Sequence, residues 1–314
     1  MPDWILIAIG LTALIASGEA LVRGASWLAM ASGVRPMVVG ATVVAFGTSA
    51  PELAASIVAL FEDSGGIATG TVFGSNIANV ALIVGLVSIY RPIDHVPGSA
   101  RFEVRCLMAV TLLTPVPLLL SGTVTRLDGA LLLAFLIWFS RALVRRELRD
   151  RRQREADPEV RPTGKGVAAH TALLTVGLAG LPFGADWLVT GARGLAQAAG
   201  LRDQVIGLTV VALGTSLPEL ATSWSAARRG HSEIALGNIL GSNLFNICMV
   251  LGAAAVATPI HMTWQAEGPL IVVGIAVTIV LAILLGLARG IGRLAGTLLF
   301  AGYVAFMAWS VWRG

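Results

Sequence analysis

The sequence predicts an all-α membrane protein: ten transmembrane helices forming two inverted five-helix repeats, with broken helices at the midplane. Three observations carry that reading. The first is composition. Of 314 residues, 56% are hydrophobic and only 13% charged, and the mean hydropathy is +0.81. A typical soluble domain carries about 25% charged residues. A soluble chain this apolar would have no interior large enough for its hydrophobic residues. That excludes a soluble enzyme, a disordered segment and a disulfide-framed secreted module. The second observation is a series of span-length apolar runs, and the third is an internal repeat.

About 20 apolar residues cross the hydrocarbon core. By that ruler the first half holds spans near 4–31, 37–60, 67–89, 106–120 and 127–144. The second half holds spans near 167–199, 204–226, 234–257, 268–287 and 294–312. Between them lies 145–166, the only strongly polar stretch, expected as a solvated linker because mixed charge with Pro and Gly buries no core. The chain therefore divides into a first repeat (1–144), a linker (145–166) and a second repeat (167–314). No cleavable signal is expected, since Met1-Pro2-Asp3-Trp4 has no basic n-region and the apolar run exceeds signal length. Cys106 and Cys248 sit in apolar surroundings without motif spacing and read as buried free thiols.

An odd number of spans per half gives the halves opposite orientations. The basic residues agree. With the N-terminus outside, 17 of the 22 fall on the cytoplasmic side, among them Arg35, Arg91, Arg101, Arg105, Arg228, Arg229 and the cluster from Arg141 to Lys165. Arg126, Arg193, Arg202 and Arg313 lie outside, and Arg23 falls within the first span. The positive-inside rule thus places both termini outside and the linker in the cytoplasm. The formal charge of +4 and pI near 9.8 mark a membrane side, not a nucleic-acid partner.

The two halves repeat at a constant offset of 167. Gly10, Gly24, Gly33 and Gly40 match Gly177, Gly191, Gly200 and Gly207; Glu52 matches Glu219, Asn79 matches Asn246 and Pro92 matches Pro259. Over 40–60 against 207–227, 14 of 21 positions are identical, more than shared hydrophobicity provides. A repeat with opposed topology is the architecture of many secondary transporters.

Each half concentrates its intramembrane polar residues in two places. One is Gly40–Glu52, GATVVAFGTSAPE, mirrored by Gly207–Glu219, GLTVVALGTSLPE. The other is Gly74-Ser75-Asn76-Ile77-Ala78-Asn79, mirrored by Gly241-Ser242-Asn243-Leu244-Phe245-Asn246. Glu52 and Glu219 fall near mid-span, where a carboxylate is costly and marks an ion pathway. A structural pairing would need a mid-membrane arginine, and the expected spans two, three, seven and eight contain none. Pro51 has no N–H to give the carbonyl of Gly47, and Pro218 withholds one from Gly214. The helices should open there and turn carbonyl oxygens inward, as broken helices do at transporter ion sites. A hard cation such as Ca²⁺ takes about 6–8 oxygens; two bidentate glutamates and one carbonyl per half supply six. With no His or Cys in the set, Zn²⁺ and Cu⁺ are disfavoured. The Gly-Ser-x-x-x-Asn pairs read either as close helix packing or as further ligands. Glu19 and Asp186, a matched pair beside small residues, read as structural.

The two GTSxPEL stretches, each followed by GSNxxN, resemble the α-repeats of the Ca²⁺:cation antiporter superfamily. In its compactness the chain is similar to the prokaryotic sodium/calcium exchangers, and the resemblance spans essentially its whole length. It implies a membrane antiporter of a prokaryotic inner membrane with four cation positions between the repeats, one for Ca²⁺ and up to three for Na⁺. By motif position it implies Ca²⁺ ligands at Glu52 and Glu219 and at the carbonyls of Thr48 and Thr215. It implies Na⁺ ligands among Ala45, Thr48, Ser49 and Ser75, and among Ala212, Thr215, Ser216 and Ser242, with Asn79 and Asn246 completing the centre. Two departures stand out. Some archaeal members carry an aspartate at one of the two asparagine positions, and the first repeat reads Gly70-Thr71 where the second has Gly237-Asn238. The linker is too short for the calcium-sensing domains of animal exchangers. No cofactor and no obligatory protein partner is expected; the partners are the transported ions and the bilayer.

Sodium-driven exchange is favoured over proton-driven exchange by the Ser and Thr oxygen clusters, which protons would not need. Enzyme chemistry finds no residues: His95, His170, His231 and His261 fall in loops or at span ends, and no HExxH is present. Nor is there a GxxxxGK[ST] phosphate loop, and Lys165 is the only lysine.

Overall fold

The computed structural model describes residues 1–61, 65–93, 100–154, 163–198, 212–265, 267–286 and 290–313. Helix is the dominant state because, in lipid, a helix satisfies its backbone N–H and C=O groups within its own segment. Among the described residues eight helices are long and apolar enough to cross a membrane: Asp3–Ser32, Pro36–Ile57, Thr69–Tyr90, Ala100–Leu120, Arg126–Arg152, Gly164–Ala198, Ser232–Ala257 and Gly268–Gly286. Two further helices are Leu217–Arg228, of 12 residues, and Arg293–Arg313, with arginine at each end. The expected span 204–226 is described only from Ala212 onward. Gly200, Arg202, Gly207, His95 and the linker residues 155–162 lie outside the described residues.

Asp3–Ser32 and Gly164–Ala198 pack along much of their length, and glycine permits it. A Cβ on Gly10 would lie 2.5 Å from the backbone N of Leu188, and one on Gly177 2.5 Å from that of Leu21. Gly24 and Gly184 approach the opposite helix as closely. Helices in lipid gain little from hydrophobic burial, so van der Waals contact between bare backbones supplies the attraction.

The second span departs from a plain helix twice. Pro36–Val39 leads into a π-helical turn, Gly40–Val44; Ala45–Thr48 is α-helical; and the chain breaks at Ser49 before Ala50–Phe61. Ser49 has φ −85° and ψ 2°, and its mate Ser216 has −88° and 2°. Each break stands two residues before a proline, the position expected for it. Further π-helical turns, unforeseen in the sequence, run over Ala78–Val84 and Asn246–Leu251, where each GSNxxN motif ends. Such turns concentrate at functional positions.

Long-range contacts exchange under the offset of 167. Val124 pairs with Ile260 in a two-stranded antiparallel sheet, and Ile93 pairs with Ile291. A Cβ on Gly129 would meet the carbonyl of Gly252, and one on Gly85 would meet that of Gly296. Adding 167 to one member of each pair and subtracting it from the other converts the first contact into the second, a pseudo-twofold relation. These two-residue strands were not expected from the sequence.

Two boundaries differ from expectation. The fourth span begins at Ala100 and is interrupted at Thr114, ahead of Pro115 and Pro117. The fifth helix runs on to Arg154, into the stretch expected as linker, and the next starts at Gly164. Residues 145–154 hold no Gly or Pro, and Glu147 is buried against Arg35, with Oε2 2.6 Å from Nε. Polar composition alone concealed a helix that docks by ion pairs.

Candidate cation site

Glu52 and Glu219 are fully buried, and both stand in the first turn after a break. There the helix N-terminus stabilises a negative charge. The break therefore serves twice, ending one helix and providing a positive dipole end for a mid-membrane carboxylate. The two carboxylates lie near enough to interact electrostatically, with Ser75 beside Glu52 and Thr48, Ser49 and Ser242 beside Glu219. The halves cross: Ala50–Phe61 packs on the Asn246–Leu251 turn, and Leu217–Arg228 packs on Ala78–Val84.

Thr48, Ser49, Ser75, Asn79, Ser216, Ser242 and Asn246 are buried, as is Ala45; Thr215 is half-buried. Ala212 opens a short helical turn, Ala212–Gly214. Hydroxyls bridge the repeats. Thr48 Oγ1 lies 3.2 Å from Asn238 Oδ1 and 3.3 Å from Ser242 Oγ. Ser75 Oγ lies 3.4 Å from Thr215 Oγ1, and Ser49 Oγ donates to Glu219 Oε1 at 3.4 Å.

The asparagines form a closed clamp. Asn76 and Asn243 each donate an amide to the other's backbone carbonyl, at 3.1 and 3.4 Å. Asn79 Nδ2 donates to Asn243 Oδ1 at 2.9 Å, and Asn246 Nδ2 donates to Asn76 Oδ1 at 3.1 Å. Each amide of Asn79 and Asn246 thus donates across the repeat, and Oδ1 of each has no partner among the described residues. Asn76 and Asn243 were quoted within the motif but not expected as functional residues; their place three residues ahead of Asn79 and Asn246, on one helix face, was the available signal.

Six buried oxygens here have no hydrogen-bond partner among the described residues: both of Glu52, Oε2 of Glu219, Oδ1 of Asn79 and of Asn246, and Oγ of Ser216. A buried unpaired acceptor costs about 1–3 kcal/mol, and more when charged. Six in one region fit the 6–8 oxygens that a hard cation takes. No arginine pairs with either glutamate among the described residues; Arg229 is bonded to Glu19 instead, which suits the structural reading of Glu19. No group of three or more His, Cys, Asp and Glu is found among the described residues, so the donor set is carboxylate, amide and hydroxyl oxygen. Both cysteines are buried free thiols.

The Thr71 departure has a structural correlate. Asn238, at the mirrored position, accepts from Thr48 and donates to Ser223 Oγ at 3.2 Å. Ser56, the mate of Ser223, has a buried hydroxyl without a partner among the described residues.

Asn243→Ala is expected to strand the amide of Asn79 and to weaken Ca²⁺ binding about ten-fold, on a cost of about 1–3 kcal/mol. Unchanged ⁴⁵Ca²⁺ binding and unchanged thermal unfolding in that variant would dismiss the clamp.

The family model described as sodium/calcium exchanger protein matches residues 3–144 and 169–312. The chain is 34% identical to the inner membrane protein YrbG of Escherichia coli K12, covering 98% of this chain and 96% of that protein. It is 32% identical to the sodium/calcium exchanger MaX1 of Methanosarcina acetivorans, covering 97% of each. The structure of the sodium-calcium exchanger NCX_Mj soaked with 10 mM Na⁺ and 10 mM Sr²⁺ superposes with a TM-score of 0.84 at 30% identity, covering 98% of this chain and 97% of that one. This chain belongs to the sodium/calcium exchanger family.

Proposed function

We propose that the chain is a secondary antiporter exchanging Na⁺ for Ca²⁺ by alternating access, with ten transmembrane helices in two inverted repeats. The observation that carries this reading is the set of buried, unpartnered oxygens on Glu52, Glu219, Asn79, Asn246 and Ser216. They suit a hard cation, which takes carboxylate and neutral oxygens together. The names of the relatives MaX1 and NCX_Mj point the same way. Glu52 and Glu219 with the carbonyls of Thr48 and Thr215 would take Ca²⁺. Ala45, Thr48, Ser49, Ser75, Ala212, Thr215, Ser216 and Ser242 would supply the Na⁺ positions. Asn79 and Asn246 border the centre.

Charge arithmetic sets the electrical behaviour. With both asparagines neutral, the unloaded site carries the two charges of its glutamates. One Ca²⁺ cancels them, whereas three Na⁺ leave one positive charge. Exchange of three Na⁺ for one Ca²⁺ then moves a net charge worth about 2.3 kcal/mol per 100 mV across the full field. In proteoliposomes, ⁴⁵Ca²⁺ uptake is expected to require an outward Na⁺ gradient and to rise under an inside-positive valinomycin potential. Uptake without Na⁺ but with a pH gradient would replace this reading by H⁺/Ca²⁺ antiport through the same glutamates. Voltage-independent uptake would reduce the stoichiometry to two Na⁺.

The arginine distribution supports a cytoplasmic 145–166 segment, with both termini outside, in a prokaryotic inner membrane. A single cysteine there, in a chain lacking Cys106 and Cys248, should resist an impermeant maleimide on intact cells. Labelling from outside would reverse the orientation.

A further inference from the structure

The hydroxyl of Thr48, one of the oxygens proposed for Na⁺, has three proton acceptors within reach among the described residues. They are Asn238 Oδ1 at 3.2 Å, Ser242 Oγ at 3.3 Å and the carbonyl of Ala45 at 3.4 Å. A threonine hydroxyl carries one proton and two lone pairs, so the direction of that proton decides what the oxygen can offer a cation. Ser242 and Ala45 themselves belong to the oxygens proposed for Na⁺. A proton on either would occupy a ligand's lone pair and aim the Thr48 O–H into the site. Asn238 is the one acceptor of the three that stands outside that set.

Asn238 is firmly held in place to take that proton. It is fully buried, as are Thr48, Ser223 and Ser242, and it stands one turn ahead of Ser242 on Ser232–Phe245. Its amide donates to Ser223 Oγ at 3.2 Å, which leaves the carbonyl arm for Thr48. Two glycines of the same helix bring it close. A Cβ on Gly237 would run into the carbonyl of Met37, and one on Gly241 would come within 2.7 Å of that of Ala41. The helix therefore sits backbone to backbone on the broken second span, which holds the carboxamide against Thr48. Contacts of this kind behind a ligand fix its orientation and tune ion affinity.

The other half of the chain carries different chemistry at this place. Under the offset of 167, Thr48 becomes Thr215, Ser242 becomes Ser75 and Ser223 becomes Ser56. The hydroxyl pair is kept, with Ser75 Oγ 3.4 Å from Thr215 Oγ1. The mate of Asn238, however, is Thr71, which has one short hydroxyl in place of the separate acceptor and donor arms of a carboxamide. Ser56 Oγ is the counterpart of the hydroxyl that receives the Asn238 amide. It is fully buried and has no partner among the described residues.

Resting on the sodium-exchange reading, we propose that Asn238 is a positioning residue for Na⁺, drawing the Thr48 proton out of the ligand set. The Thr48–Ser242 position then holds Na⁺ more tightly than the Thr215–Ser75 position, where Thr71 stands in place of the asparagine. Ca²⁺ is indifferent to this proton, because the Thr48 oxygen proposed for it is the backbone carbonyl.

The test is ⁴⁵Ca²⁺ uptake by the full chain in proteoliposomes, with its Na⁺ and Ca²⁺ dependences measured separately. Asn238→Thr is expected to raise half-saturating Na⁺ about five-fold, the worth of one neutral hydrogen bond, and to leave half-saturating Ca²⁺ in place. Thr71→Asn keeps Asn238 and gives Ser56 a donor; it is expected to lower half-saturating Na⁺, and it decides the matter even where Asn238→Thr does not fold. The transposed variant Asn238→Thr/Thr71→Asn should return toward the wild-type Na⁺ dependence, a rescue that a merely structural asparagine would not give. Unchanged half-saturating Na⁺ in either folded single variant would overturn the proposal while leaving sodium exchange intact. So would equal shifts for Na⁺ and Ca²⁺, or a fall in maximal rate alone. Wild-type uptake that needs no Na⁺ would overturn the exchange reading and this role of Asn238 together, before any variant is made.

Discussion

Glu52→Gln and Glu219→Gln should each abolish Ca²⁺ transport, lowering gradient-driven ⁴⁵Ca²⁺ uptake by at least about a hundred-fold. Each change removes one of the two charges that face the cation and replaces a carboxylate oxygen by an N–H₂ that repels it. Breaking one side of a desolvated ionic contact costs about 3–5 kcal/mol by analogy with buried pairs, and every 1.4 kcal/mol is ten-fold. The folded protein should tolerate the change. Neither oxygen of Glu52 has a hydrogen-bond partner to lose among the described residues, and Glu219 has one at 3.4 Å. Near-normal uptake in either variant would remove the cation site from this position; loss of uptake with loss of folding would be seen as a fall in thermal stability.

The second large effect concerns packing around the site. Gly237→Val should destabilise the protein by about 3 kcal/mol, the upper range for overpacking, and eliminate transport with it. A Cβ at Gly237 would come within 2.2 Å of the carbonyl of Met37 and 3.0 Å of the backbone N of Ala41. Both are backbone atoms on the broken helix and cannot rotate away. Moving them would also pull Asn238 from Thr48, whose hydroxyl donates to Asn238 Oδ1 at 3.2 Å. Gly302→Ala, where a Cβ meets nothing within 4 Å, should change neither thermal unfolding nor uptake. A Gly237→Val protein with wild-type stability would show that the two helices separate more easily than their contact implies.

Much of this architecture was readable before any coordinates. Hydropathy and the 167-residue offset depend only on linear pattern, and the proline two residues beyond Ser49 and Ser216 announces a break wherever the helix lies. The two buried glutamates declared themselves by cost: nothing else in the expected spans could neutralise them. Reading failed where polar composition stood in for contact. Residues 145–154 look like linker, yet they continue a helix because Glu147 meets Arg35, 112 positions away.

The sequence by itself determined the membrane class, the duplication and the residue types available to hold an ion, since each is a property of neighbours along the chain. Tertiary structure alone decided which of those oxygens remain unpartnered. Asn79 and Asn246 face the same choice of acceptors in either half. Their amides turn toward Asn243 and Asn76, across the pseudo-twofold, and that crossing leaves Oδ1 of each without a partner among the described residues. A hydrogen bond between residues more than 160 positions apart has no linear signature, because its geometry is set by how two helices pack and not by what either one contains.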